Sequence, residues 1–310
     1  MKRLVAGLSA TLLMVPVVVR AQGDKYAPFT AQLPAAARAL GMGGATAATR
    51  DAEAALGNPA LAGTVTSASV SVARYGNRAT AGVLANGGTI GSLGISVAVS
   101  YLDFGSTALL SSLGATQSAD LARQSTLAVD PAASLSAGLA TSLTWKGLRW
   151  GVAATYHEAR GVFERASVVG ATLGVSKDNV LLAGSSMGLM VQNAGPALRF
   201  NGARVQLPTR LAWGWALPSR SVGSYVDVTG TLGSSVRRDG DLFGSAGLEV
   251  SFTPIEGVSF AARGGMRRPE LTVQDPVTVG AGFSFDRLVL DYAWEQLEHR
   301  AAHRLTVRWR

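Results

Sequence analysis

Residues 93–101 read Leu93-Gly-Ile-Ser-Val-Ala-Val-Ser-Tyr101, with large apolar side chains at every odd position and small or polar ones between them. In a β-strand, successive side chains point to opposite faces of the sheet, so this period of two predicts a strand with one apolar face. The same alternation recurs at 277–285 and 303–309, and less regularly at 207–217. The chain is therefore predicted to be all-β over most of its length.

About fourteen such strands follow residue 63. They are predicted at 64–75, 78–87, 91–103, 134–145, 148–160, 165–176, 180–193, 207–217, 222–233, 242–253, 257–266, 277–285, 287–294 and 303–309. Their lengths suit the roughly 9 to 11 residues that a tilted strand needs to cross a bilayer. Short turns alternate with mostly longer connections, the longest over 104–133, as in outer-membrane barrels. The predicted fold is a transmembrane antiparallel β-barrel of about 14 strands.

The composition also favours a membrane barrel. Hydrophobic residues make up 47% of the chain and charged residues only 15%, against about 25% charged residues in an average soluble domain. The chain has 37 glycines and no cysteine. A soluble β-sandwich or lipocalin-like barrel is the alternative, but it would carry charges along its outer face, and here they cluster in the connections. We therefore expect the barrel wall to contact lipid in a bacterial outer membrane.

The N-terminus has the pattern of an export signal. Lys2 and Arg3 precede an apolar run over 4–19, and Val19 and Ala21 are small enough for a signal peptidase site. Cleavage is predicted after Ala21, which makes residues 1–21 a signal peptide. The run is shorter than the roughly 20 residues of a membrane-spanning helix.

The segment 38–63 is the longest one beyond the signal that does not alternate. It reads RALGMGGATAATRDAEAALGNPALAG. Gly41, Gly43 and Gly44 permit a backbone turn that side chains would block. The alanine-rich stretch 45–56 predicts a short helix, ended by Gly57 and Pro59. Because a 14-strand wall encloses more space than its own side chains need fill, we expect residues 22–63, called the hatch below, to occupy the lumen of the barrel at 64–310.

Several stretches resemble the PorV/PorQ family, within the larger group of FadL-like outer-membrane proteins. They are Arg38-Ala-Leu-Gly-Met-Gly-Gly44 with Ala55-Leu-Gly-Asn-Pro-Ala60, Met190-Val-Gln-Asn-Ala-Gly-Pro196 with Leu207-Pro-Thr209, Gly247-Leu-Glu249 with Ala261-Ala-Arg-Gly-Gly265, and Val279-Gly-Ala-Gly-Phe283 with Leu290-Asp-Tyr-Ala-Trp294. The resemblance implies a 14-strand barrel with a lumenal hatch. Asn58, Pro59 and Ala60 match the family's hatch motif. Together with Gly41, Gly43 and Gly44 they are the predicted hatch and gating residues.

The resemblance implies two alternative functions. In the PorV branch, the barrel acts with the type IX secretion system, so translocon components or the C-terminal signal domains of cargo would be partners. In the FadL-like group, hydrophobic small molecules pass through the barrel and can leave laterally through its wall. A structural membrane anchor with adhesive loops is a third hypothesis, based on the loop 104–133 alone.

Little in the sequence favours catalysis, a cofactor, a metal or nucleic acid. His299 and His303 have a spacing that could hold zinc on a helix, but they fall in a predicted loop running into a strand. His157 and Glu158 are adjacent in a strand and are expected to point to opposite faces. The net charge is +8, but the arginines are scattered and form no basic stripe with aromatic residues. The chain is predicted not to be an enzyme.

Overall fold

The computed structural model describes residues 26–76, 79–104, 133–161, 164–200, 203–270, 274–298 and 300–310. The predicted signal peptide and the interior of the loop 104–133 lie outside these ranges, as does His299. Within them, no helix is both long and apolar enough to span a bilayer.

Fourteen long antiparallel strands form a closed barrel, which confirms the predicted fold. The barrel strands are β1 Ser67–Tyr75, β2 Ala79–Ile90, β3 Leu93–Asp103, β4 Ala133–Trp145, β5 Leu148–Arg160, β6 Arg165–Asp178, β7 Ser186–Ala194, β10 Arg210–Ala216, β12 Val226–Arg237, β13 Leu242–Ile255, β14 Val258–Arg267, β15 Gln274–Phe285, β16 Leu288–Leu297 and β17 Arg300–Trp309. Each strand pairs with the next along the barrel. The first strand, β1, pairs with the last, β17, with Val70 opposite Val307, and this pairing closes the barrel. β10 pairs directly with β12.

Three short strands were not predicted. β8 Leu198–Phe200 and β9 Ala203–Val205 form a hairpin between β7 and β10, and β11 Arg220–Ser221 adds to the edge of β12. Leu198 is buried against Ala159 of β5, so the hairpin folds inward over the end of the wall.

Tight turns lie at one end of the barrel. Residues 91–92, 146–147, 256–257 and 286–287 each join two strands directly. At 146–147 both residues have positive φ, with 50° at Lys146 and 75° at Gly147, as two-residue hairpins that follow the strand twist require. The two longest connections, between Asp103 and Ala133 and between Ala194 and Arg210 with the β8–β9 hairpin, lie at the opposite end, called the long-loop end below. The separation of short and long connections is incomplete, because 179–185 and 217–225 lie at the end with the tight turns.

The outer face of the barrel is apolar. Along β1, Ser67, Ser69 and Ser71 are buried and face inward, whereas Val70 and Val72 are about half exposed. Leu84, Val169 and Leu173 expose 59–60% of their surface in the same way. A soluble β-sandwich or lipocalin-like barrel would bury such side chains, so this outward band is a lipid-facing surface.

The hatch lies inside the lumen, but the predicted helix over 45–56 is wrong. The only α-helix among the described residues is Ala37–Gly41, and short 3₁₀ turns occur at Phe29–Ala31, Ala52–Leu56 and Pro59–Leu61. Between 42 and 51 the backbone is irregular because it passes very close to the wall. A helix there would hold its backbone away from the wall by a layer of side chains.

Candidate functional site

A set of inward-facing wall glycines lies directly against the hatch backbone. A Cβ built on Gly247 would lie 2.7 Å from the carbonyl carbon of Met42, and one on Gly138 would lie 2.8 Å from the oxygen of Ala55. The same close approach to the hatch backbone occurs at Gly94, Gly151, Gly188 and Gly265, and a Cβ on Gly174 would lie 2.0 Å from Asn58 Oδ1. These seven glycines are called the glycine track. They belong to seven different strands, so through them alone the hatch touches half of the strands of the wall.

The predicted glycine turn of the hatch is present at two of its three positions. Gly43 and Gly44 have φ of 73° and 77°, a conformation that residues with a Cβ adopt rarely. A Cβ on Gly43 would also lie 2.6 Å from the oxygen of Ala246. Gly41 instead ends the helix, where a Cβ would lie 3.2 Å from the Cα of Gly280. All three glycines therefore lie at the contact between hatch and wall.

The Asn58 side chain forms hydrogen bonds to two different segments of the hatch, one at Ala47 and one at Ala60. Its Nδ2 donates to the oxygen of Ala47 at 2.6 Å, and its Oδ1 accepts from the backbone nitrogen of Ala60 at 3.0 Å. Pro59 occupies the first position of the 3₁₀ turn that this bond caps. Asn58 exposes only 1% of its surface, so both bonds lie in the interior of the barrel. The Asn-Pro-Ala motif thus has a structural role that its sequence pattern alone does not reveal.

Wall side chains satisfy the buried carbonyl groups of the hatch. The Ser96 hydroxyl donates to Ala52 O at 2.7 Å, and the Ser142 hydroxyl donates to Ala62 O at 2.8 Å. Gln192 Nε2 donates to Leu56 O at 2.7 Å. A buried backbone group without a partner is costly, so these small polar residues on the inner face complement an irregular backbone that has few partners of its own.

Six charged residues, five of them buried, tie the hatch to the strands β13, β14, β16 and β17. Arg38 of the hatch binds Glu249 with both ends of its guanidinium, at 3.0 and 3.1 Å, and Arg263 also binds Glu249. Asp291 accepts from Arg263 at 2.7 Å and from Arg308 at 2.8 Å. Arg308 reaches back to Asp51 of the hatch at 3.3 Å. This ion-pair chain begins and ends on the hatch and contains three arginines and three carboxylates.

Glu53 is a buried hatch carboxyl outside the ion-pair chain, and it accepts a hydrogen bond from Ser69 at 2.6 Å. Burial, together with the nearby Asp51 carboxyl, raises the pKa of Glu53 above its ordinary value of 4.5. The folded state therefore binds the proton more tightly than the unfolded chain. The resulting stabilisation is complete below pH 4.5 and is lost as the pH rises through the folded-state pKa.

We therefore expect Glu53→Gln to stabilise the barrel at neutral pH and to have no such effect in acid. Glutamine keeps an oxygen acceptor for Ser69 but carries no charge to desolvate. Urea unfolding of the lipid-reconstituted protein at neutral pH and below pH 4.5 measures the difference. A destabilising effect of Glu53→Gln at neutral pH would contradict this prediction.

A cavity of about 140 Å³ lies between the hatch and the wall. Hatch residues 30–36, 43–47, 49, 51 and 53–58 form much of one side. The wall side includes Thr155, His157, Thr172, Gln192, Asn193 and Trp213. At the long-loop end, the hatch meets the inward hairpin, where Ala27 N donates to Gln206 O at 3.1 Å. The hatch is thus in close contact with the wall on several sides, and the cavity lies beside Asn58.

The charged partners of the hatch were not identified from the sequence. Glu249, Arg263 and Asp291 fall within the stretches that resemble PorV/PorQ, yet their pairing depends on register across several strands. A usable signal does exist. Each is a charged residue at an inward position of an otherwise apolar strand, where burial is costly unless a partner is present. No group of three His, Asp or Glu residues in the described ranges could hold a metal ion.

Three solved structures share this architecture. They are the toluene transporter TbuX of Ralstonia pickettii (14% identity, TM-score 0.52, covering 89% of this chain and 98% of that one), the toluene transporter TodX of P. putida (12%, 0.55, 90% and 98%) and the monoaromatic hydrocarbon channel CymD (10%, 0.53, 89% and 96%). No protein-family model and no curated protein matches the chain.

At these identities the similarity establishes the fold. It is the barrel fold of the two toluene transporters and the hydrocarbon channel named above. Combined with the lipid-facing outer surface of the strands, it defines the protein as a 14-strand β-barrel of the bacterial outer membrane.

Proposed function

We propose that the protein is a channel for small hydrophobic molecules about the size of one aromatic ring. The cavity of about 140 Å³ beside the hatch carries this proposal. An engineered protein cavity of about 150 Å³ holds a benzene molecule, so the space is sufficient for such a ligand. The neighbours named as toluene transporters and as a monoaromatic hydrocarbon channel support the same class of ligand.

The wall beside the cavity supports a lateral exit. β6 begins at Arg165, but its first residue paired with β7 is Ala171, and the register is irregular up to Leu173. Residues 165–170 therefore have a regular strand partner only on β5 among the described strands. Thr172 and Asn193, which flank this irregular pairing, both line the cavity. A ligand leaving here would enter the bilayer without passing the rest of the hatch.

Filling the cavity is expected to abolish transport. Thr155 is 3% exposed and lines the cavity from the middle of β5, so Thr155→Phe places a ring in the ligand's space. Cells with an intact outer membrane that express the protein should take up radiolabelled toluene faster than cells without it. With Thr155→Phe, the rate should fall to that of the cells without the protein.

The matched control is Ala154→Phe on the same strand. Ala154 faces outward and is exposed, so the added ring meets lipid instead of the cavity. This variant should transport toluene like the unaltered protein. The mobility shift of folded barrels in SDS on heating verifies assembly of both variants. Equal uptake by cells with and without the unaltered protein would refute the channel.

Participation in type IX secretion is the second candidate, and the sequence motifs alone support it. The matched motif residues Gly43, Asn58 and Glu249 contact the hatch or belong to it. Any barrel with such a hatch needs contacts of this kind, so we rank the channel first. Co-purification of translocon components or of cargo signal domains in mild detergent would reverse this order.

A further inference from the structure

Three side chains of the cavity wall have a buried nitrogen without a hydrogen-bond partner in the described part of the chain, namely His157, Asn193 and Arg267. Arg267 already uses its guanidinium on Glu295, which leaves His157 and Asn193 as the two uncharged side chains of this kind. His157 and Asn193 expose 1% and 4% of their surface, and both line the cavity. His157 Nε2 and Asn193 Nδ2 are buried atoms without a partner in the described part of the chain. Leaving such a group unsatisfied costs about 1–3 kcal/mol. Two of them in one cavity therefore indicate that something other than the protein satisfies them.

The orientation of the His157 ring is fixed from the other side. Its Nδ1 lies 2.9 Å from the Ser136 hydroxyl, which in turn lies 2.7 Å from the hydroxyl of Thr30 in the hatch. Thr30 is held by Ser134, whose oxygen accepts from the Thr30 nitrogen at 3.3 Å. This series of hydroxyls engages Nδ1 and leaves Nε2 as the free nitrogen. A ring positioned in this way is preorganised for a ligand.

The backbone of Asn193 is fixed in a similar way. It ends the regular part of β7 with a φ of 56°, its nitrogen donates to Thr172 Oγ1 at 3.2 Å, and its oxygen accepts from Thr209 Oγ1 at 2.7 Å. By contrast, the neighbouring Gln192 uses its side chain entirely on the hatch and on Arg210. Asn193 therefore offers the cavity an amide nitrogen that no scaffold contact uses.

We propose that His157 and Asn193 form a polar subsite for an oxygen atom of the transported molecule. This inference rests on the proposed channel and narrows its ligand class. The preferred ligand is a single aromatic ring that carries a hydrogen-bond acceptor, such as a carbonyl group, and not an unsubstituted hydrocarbon. A site built to hydrogen-bond its ligand disfavours the analogue without the polar group, because the buried nitrogens are then left unpaired.

Calorimetric titration of the purified, detergent-solubilised protein with benzaldehyde and with toluene tests the subsite. The two probes have similar size and differ in the carbonyl oxygen. We expect the unaltered protein to bind benzaldehyde about tenfold more tightly than toluene, the ratio that one additional hydrogen bond gives. His157→Phe keeps a ring of similar size and should bring this ratio close to one.

Asn193→Gly is the second variant, because glycine tolerates the positive φ of this position. It too should reduce the preference for benzaldehyde, so the inference stays testable if His157→Phe fails to fold. Equal affinities of the unaltered protein for the two probes would overturn the subsite and leave the channel standing. Binding of neither probe would overturn both. An unchanged ratio in both variants would show that the preference originates elsewhere and would also refute the subsite.

Discussion

Replacing Gly265 with valine is expected to displace the hatch from the barrel wall. A Cβ at this position would lie 2.6 Å from the carbonyl carbon of Met42 and would overlap the nitrogen of Gly43. Both are backbone atoms, so no side-chain rotation relieves the clash. We expect the fraction of SDS-resistant barrel to fall sharply and the barrel that does form to be cleaved by trypsin after Arg38, where the unaltered protein is protected.

The adjacent Gly264 supplies a control with the same chemistry. It lies in the same strand, and a Cβ built on it would meet nothing within 4 Å. Gly264→Val should therefore fold and protect Arg38 as the unaltered protein does, since valine is also favoured in strands. If Gly265→Val were as SDS-resistant and as protected from trypsin as Gly264→Val, the close seating of the hatch on the glycine track would be wrong.

The wall of the barrel was predictable because its signal is local. Each strand must present apolar residues to lipid and small residues to the lumen, and this requirement is visible in windows of ten residues. All fourteen predicted strands are present, and most begin and end within a few residues of the predicted bounds. The largest differences are at β7, predicted from residue 180 but beginning at Ser186, and at β12, predicted at 222–233 but found four residues later at Val226–Arg237.

The hatch was less predictable, for a physical reason. The turn at Gly43 and Gly44 could be predicted, because a positive φ is a requirement of the local backbone that glycine meets most easily. The alanines of 45–56 suggested a helix, but they serve as small contact residues. Ala52 and Ala55 pack against wall alanines such as Ala98. Helix propensity is a weak preference, and the close contacts of the lumen override it.

The cavity and the ion-pair chain could not be derived from the sequence, because both depend on closure of the barrel. Arg38 and Glu249 are 211 positions apart, and they meet only when β13 and the hatch helix share the lumen. Isolated charged residues at inward positions of the strands were visible in the sequence and indicated buried ion pairs. The register between strands determines which of these residues pair, and the register cannot be read from one strand alone.

The glycine track and the ion-pair chain are the two kinds of contact between hatch and wall, and they constrain the position of the hatch in different ways. The glycine track excludes side chains and so fixes how closely the hatch can approach. The ion-pair chain is concentrated at Arg38 and Asp51, on the β13–β17 side. The cavity is lined by β3–β7, β10 and β12–β14 and by none of β15, β16 and β17. The hatch is thus anchored by charge mainly on one side of the lumen and borders the cavity mainly on the other.

Asp291→Ala is expected to destabilise the protein strongly. Asp291 is 1% exposed and is the carboxylate that links Arg263 to Arg308. Its removal leaves two buried guanidinium groups short of a partner, and breaking a buried ion pair in this way costs about 3–5 kcal/mol. Because Arg308 also binds Asp51, the hatch should loosen before the wall unfolds. Urea unfolding in lipid vesicles measures the loss, and trypsin cleavage after Arg38 reports the loosening.

Asp178→Ala is the matched control, since Asp178 also bridges two arginines, Arg50 of the hatch and Arg149 of β5. Its side chain is 38% exposed, however, and exposed pairs contribute only about 0–1 kcal/mol. Both variants remove one carboxylate shared by two arginines, so burial is the main difference between them. If the two variants lost equal stability, the ion-pair chain would be no stronger an anchor than a surface pair. A large loss confined to Asp291→Ala would show that charge buried in the lumen holds the hatch in place.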